Sequence, residues 1–161
     1  MSSAYETIED AIRGYLIAAT PAVGEGAPTP SVFRADRVTV YGGQLTDAEI
    51  LEEIEKMKSN APAALVYYAG GEGSNNAGNE CDEEAIFHVI VVSAGINRVA
   101  VHRATGTGLY DLVNLIRSRV NGQIVGNELV WKGNQRLVET GRPPTASAMR
   151  MAFGTRINHG L

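Results

Sequence analysis

The clearest pattern of apolar and polar positions lies between Asn60 and Val92, where two apolar runs are separated by a polar one. Ala63 to Ala69 (AALVYYA) is a continuous small-apolar and β-branched run entered through Pro62, and Ala85 to Ser93 (AIFHVIVVS) is a second. Continuous runs of this length predict strands covered on both faces. The intervening GGEGSNNAGNECDEE shows no apolar period. It predicts an exposed Gly/Asn/acidic loop over 70–82, a tongue projecting from the sheet.

Helical spacing predicts what covers that sheet. From Ser3 to Ala19, Ile8, Ile12, Tyr15, Leu16 and Ala19 fall on one face at spacings of three and four. Ser2 or Ser3 is the predicted cap, and Thr20-Pro21 the stop. Thr46 and Glu49 form a capping box ahead of TDAEILEEIEKMK, whose predicted apolar face is Ile50, Leu51, Ile54 and Met57. Glu52, Glu53, Glu55 and Lys56 lie mostly opposite and read as a solvated surface. Thr107 to Val120 carries the stripe Leu109, Leu112, Val113, Ile116 and Val120, with Thr107 as predicted cap and Asn121-Gly122 as stop.

Shorter signals fill the gaps. Pro21 to Ala35 holds three prolines and two glycines and predicts an extended loop, either a contact arm or a plain connector. Asp36 to Tyr41 alternates as a short strand. Ala94 to Gly106 reads as a loop with a short extended piece. Glu128 to Lys132 and Gln135 to Thr140 predict short strands interrupted at Gly133-Asn134. Ala148 to Ile157 places Met149, Met151, Phe153 and Ile157 on one face of a strand and Arg150, Gly154 and Arg156 on the other. The predicted fold class is α+β (mixed α/β): one sheet of about four to six strands with three helices packed on it. At 161 residues the chain is expected to be a single domain over 1–161.

Composition narrows the chemistry. A net charge of -4 gives no overall footprint for nucleic acid or an anionic membrane. The single cysteine, Cys81, excludes an intramolecular disulfide and fits a reducing compartment. No apolar run approaches the roughly 18 to 20 residues of a membrane span, and the acidic N-terminal stretch is unlike a signal peptide. A soluble, intracellular protein is expected.

Neither Gly70-Gly71-Glu72-Gly73 nor Gly106-Thr107-Gly108 is followed by a phosphate-binding lysine, and a dinucleotide fingerprint would need glycine where Asp111 stands. Cys81, His88, His102 and His159 lack metal-ligand spacing, and His88, inside an apolar run, reads as a satisfied core histidine. Glu72, Glu80, Asp82, Glu83 and Glu84 lack the oxygen spacing of a calcium loop. There is no GxSxG elbow, Cys81 sits in an acidic run that blunts a nucleophile, and no carboxylate pair reads as set in apolar surroundings. No enzyme, cofactor or metal site is expected. The basic faces at Arg150 and Arg156 are expected to meet the acidic tongue of a neighbouring copy, a head-to-tail contact between unlike patches.

Three segments carry a resemblance: IEDAIRGYL (8–16), APAALVYYAGGEG (61–73) with EEAIFHVIVVSAG (83–95) after it, and GLYDLVNLIRSRVNGQ (108–123). Over about positions 5 to 125 the chain resembles the small tail proteins of Mu-like contractile-tailed phages, a family encoded near the tail sheath and regarded as tail terminators. LVYYAGGE is the most specific piece. The resemblance implies a fold similar to the lambda-type terminator and a hexameric ring in the virion neck. That ring caps the tail tube and sheath, meets the head-to-tail connector, and lets DNA pass its lumen without being read. On this reading Gly70, Gly71, Glu72, Gly73, Glu80 and Asp82 of the tongue, and Pro28, Pro30 and Phe33 of the arm, are the expected interaction residues. Two alternatives stay open: another neck component, such as a connector or head-completion protein, and a small enzyme or ligand-binding domain using the Gly70–Gly73 turn and Cys81.

Overall fold

The computed structural model describes residues 3–76, 80–142 and 144–160. In chain order these form α1 (Ala4–Ile17), a 3₁₀ turn (Ala35–Arg37), β1 (Val38–Val40), α2 (Asp47–Lys58), β2 (Ala63–Asn76) and β3 (Glu80–Ala94). There follow α3 (Arg98–Arg103), α4 (Leu109–Val120), the short strands β4 (Ile124–Val125) and β5 (Asn127–Glu128), then β6 (Val130–Thr140) and β7 (Ala146–Gly160). One five-stranded sheet has the order β1-β2-β3-β7-β6, and β4 and β5 form a separate ribbon. Only β1 and β2 run parallel. The α+β class and the single sheet within the expected strand range are therefore observed, with a short fourth helix added.

The two apolar runs are the paired middle of the sheet. On one face Ala64, Val66, Ala85, Phe87, Val89 and Val91 pack under Ile8, Ile12 and Leu16 of α1 and the buried stripe of α4. On the other, Ala63, Leu65, Ile90, Val92 and Ala148 pack under Ile50, Ile54 and Met57 of α2. Both faces are covered there, as continuous apolar runs require. Ser3 and Thr46 close capping boxes with Glu6 and Glu49. The open carbonyls at the end of α1 are met from α4: Arg119 donates to Tyr15 O at 3.2 Å and also to Ala18 O.

Several expectations are corrected. The described part of the tongue is not a loop: Gly70–Asn76 and Glu80–Glu84 extend the β2–β3 hairpin, in register from Gly70 opposite Ile86 to Asn76 opposite Glu80, while positions 77–79 of the expected loop lie outside the described residues. Its backbone is paired because β7 continues alongside, Gly160 reaching Glu80. Backbone pairing needs no apolar side chains. The 94–106 segment contains α3, capped by Asn97, rather than an extended piece. α4 begins after Gly108 instead of being capped by Thr107. Gly133-Asn134 does not interrupt β6; the ladder absorbs it as a register shift between Trp131 and Gly133. Leu51 points away from the core and is half exposed. Lying 100° round the helix from Ile50, it falls off the stripe. α1 ends at Ile17, so Ala19 adds nothing to its buried face.

The arm at 21–35 is tied at its root. Thr20 and Thr29 exchange backbone hydrogen bonds, and Ser31 Oγ donates to Leu16 O at 2.6 Å. Phe33 is buried in the core.

Truncation at the middle of the sheet costs far more than truncation on the surface. Phe87→Ala is expected to lose about 3–5 kcal/mol of unfolding free energy. Leu51→Ala should stay within about 0.5 kcal/mol of the parent. Urea midpoints of the two variants check the contrast.

Candidate functional site

Past the reach of α2, no described helix packs on this sheet face. Tyr67, His88, Ile86 and Glu84 line up on it beside Arg150, Lys132 and Gln135 of the neighbouring strands. Two clefts lie there. One, of about 480 Å³, is lined by Ala69, Gly70, Gly71, Glu72, Glu84, Ile86 and His88. The other, of about 610 Å³, shares Glu72 and Glu84 and adds Glu128, Val130, Lys132 and Arg156 among others. Together they make a trough toward the hairpin end.

Several of its polar groups satisfy one another. Tyr67 Oη and His88 Nδ1 are 2.9 Å apart, with the rings edge to face. Arg150 donates to Gln135. Burial, then the nearby Arg150 charge, lowers the His88 pKa to about 4, so the ring is neutral at pH 7. His88 is thus a satisfied histidine, as its run suggested, but half buried at the trough wall. Lys132 pairs with Glu84 at 3.0 Å.

Behind the trough, on the helix-covered face, lies a polar cluster that sequence reading missed. Glu83 accepts from Tyr5 Oη, at 2.5 Å, and from Tyr68 Oη, and its Oε2 lies 2.8 Å from His159 Nε2. It thereby joins the first turn of α1 to β2, β3 and β7. Burial pushes the Glu83 carboxyl up, but the hydrogen bonds from Tyr5, Tyr68 and His159 outweigh it, and the pKa lies below the usual value. Burial and the Glu83 hydrogen bond raise Tyr68; the same bond, then burial, raises Tyr5. Gly71 makes room: a Cβ there would sit 2.3 Å from Glu83 Oε1 and 2.7 Å from Glu84 O. Gly70, at φ +123°, adopts a conformation that favours glycine where the ladder shifts after Tyr68.

Glu9 is another buried carboxylate, at 2 % exposure. It accepts the Tyr68 N–H at 2.7 Å, on the edge of β2 just beyond the end of β1. Burial raises its pKa, the Tyr68 bond opposing and the Asp10 and Glu6 charges adding to the rise. Both carboxylates were detectable. Glu83 has the same strand parity as Ala85, Phe87 and Val89, and Glu9 stands three and seven residues before Ile12 and Leu16.

The expected contact residues divide. Gly71, Glu72 and Gly73 are exposed and Gly70 half buried, and Pro28 and Pro30 are exposed on the arm. Glu80 opens β3, opposite Asn76 and Gly160. Three assignments are corrected. Phe33 is 1 % exposed, so it anchors the arm instead of offering a contact. Asp82 is buried and accepts from Arg156 and, at 3.0 Å, from Asn158. Arg156 thus finds its acid on the adjacent strand β3 of its own chain, and Arg150 is engaged with Gln135. The charge pairing expected of Arg156 between copies is made within one copy.

Among the described residues, no group of three or more His, Cys, Asp and Glu side chains is arranged to hold a metal ion. Nor is any described helix long and apolar enough to cross a membrane. A comparison with models of known protein families finds no match, and a comparison with curated proteins finds none.

Glu83 and Glu9 tilt pH stability in opposite directions. With its lowered pKa, Glu83 stabilises the fold above the ordinary carboxylate range, and this is lost as pH falls through its folded pKa. With its raised pKa, Glu9 contributes most when protonated, and stability declines as pH rises through its folded pKa. Glu83→Gln should cost about 1–3 kcal/mol at pH 7 and progressively less on acidification. Glu9→Gln keeps an acceptor for Tyr68 and should be at least as stable as the parent at pH 7, losing that advantage as pH falls. Urea midpoints at pH 7 and at about pH 4 read both trends.

Proposed function

We propose that the protein is a structural component of a phage virion. In this reading it is a tail terminator whose copies form a ring in the neck, cap the tail tube and sheath, and join the tail to the head-to-tail connector. One observation carries it beyond the resemblance: half of a sheet face is uncovered, and it is bordered by strand edges without a strand partner among the described residues. Beyond β1, the outer edge of β2 is such an edge, and β6 is the other. Faces and edges of this kind are what neighbouring subunits pair with or pack on. LVYYAGGE, the most specific piece of the resemblance, spans the end of the buried part of β2 and its shift into the trough. A net charge of -4 suits a lumen that passes DNA without gripping it.

Electron micrographs of the purified protein mixed with tail tubes test the proposal. Rings are expected, with a cap at one end of each tube and no further tube growth from that end. A protein that leaves both ends bare and growing overturns it. Rings that capture connector protein but not tubes would assign the chain to another neck position.

A further inference from the structure

We infer, resting on the ring-forming reading above, that copies join head to tail by seating α3 of one copy in the trough of the next. β3 carries the two surfaces apart. It has 15 residues, about 50 Å at roughly 3.3 Å per residue. The trough lies toward its Glu80 end and α3 follows directly on its Ala94 end.

The two surfaces are complementary. In the larger cleft Asp82 and Glu84 are paired with Arg156 and Lys132, and Glu72, Glu84 and Glu128 are exposed on its rim. Ile86 and Val130 give the trough an apolar floor. At the opposite end Ile96 is 87 % exposed and Val99 67 %. Arg103 at the end of α3 lies near Val99, and Arg142, in the turn before β7, lies at the same end of the sheet; both are exposed. Neither arginine makes an ion pair among the described residues. An apolar knob flanked by cations fits an apolar trough rimmed by carboxylates.

The knob is held rigidly, which lowers the entropy lost on docking. His102 is buried, with Nδ1 2.9 Å from Arg98 O and Nε2 3.1 Å from Glu139 Oε1 of β6. Ser93 Oγ lies 2.9 Å from Val101 O and 2.8 Å from Thr107 O, tying the last turn of α3 and the loop after it to the sheet. Because the surfaces are unlike, each contact leaves a knob and a trough free for the next copy.

Two charge-reversed variants test this by mass in solution. Arg103→Glu with Arg142→Glu gives an acidic knob, and Glu72→Lys with Glu84→Lys a basic trough. Each alone should be monomeric where the parent is oligomeric, and an equal mixture should recover the oligomer, because every knob then meets a trough of opposite sign. Variants that assemble alone like the parent overturn the proposal while leaving self-assembly intact. A monomeric parent overturns it too, and tube capping then judges the terminator reading separately. The unsubstituted parent gives an independent reading. Its oligomer should weaken as salt screens the rim contacts. An unchanged mass up to about 1 M salt overturns the docking.

Discussion

The structure depends on a mismatch of lengths. β3 and β7 have 15 residues each, about 50 Å of strand, whereas α2 has 12, about 18 Å of helix. One such helix cannot cover one face of such a sheet. On the opposite face α1 and α4 share the task, and the buried side chains run from Val91 through Phe87 to Ile157. On the α2 face the apolar cluster stops at Tyr67 and Ile90, and past it the sheet turns to His88, Arg150 and Lys132. There Tyr67 pairs with His88, Gln135 with Arg150 and Glu84 with Lys132. The open half of the sheet is built to be wet and yet keeps Ile86 and Val130 for something to rest on.

The same mismatch makes the hairpin end fragile. Gly70, Gly71 and Gly73 have little strand propensity and no side chains to pack. Two things hold them: the β3 ladder, paired on both sides, and the Glu83 cluster, which ties the hairpin to α1 through Tyr5 and to the end of β7 through His159. The glycine is part of the tie, since Gly71 leaves the space that Glu83 occupies. Weak local preference and a buried carboxylate therefore belong to one device. The capping box of Ser3 and Glu6 serves it too, by fixing the turn of α1 from which Tyr5 reaches in.

What could be read from the chain followed from the range of the signal. α1, α2 and α4 carry stripes of period 3.6 over 12 to 14 residues, so their existence and most of their inner faces were legible, Leu51 and Ala19 excepted. α3 has six residues, too few for a stripe, and its Val99 and Val101 alternate as a strand would. The tongue was misread because its composition is that of a loop while its pairing is decided by β7, some 75 residues away. Phe33 was placed outside because its neighbours are prolines; a long arm needs an anchor, and the one aromatic residue in it serves. Of the candidate site, the exposed glycines and Glu72 were found, and the trough they border was not. It is made by the absence of a helix above Ile86 and His88, which no local pattern records.

The internal pairing of Asp82 with Arg156 also decides where charge remains for other molecules. Asp82 has only 8 % of its side chain exposed, so that carboxylate is committed to its own sheet. Exposed acids remain at the hairpin end, and exposed arginines at the α3 end. A two-fold dimer through either end would set like charges against each other. A contact between opposite ends does not, but it repeats, and the angle between successive copies then decides between a closed ring and an open filament. A protein that stops a tail from growing has to close. On the proposed reading the positions of α3 and the trough therefore carry a geometric demand as well as a chemical one: the turn from one copy to the next must return to its start within a few subunits.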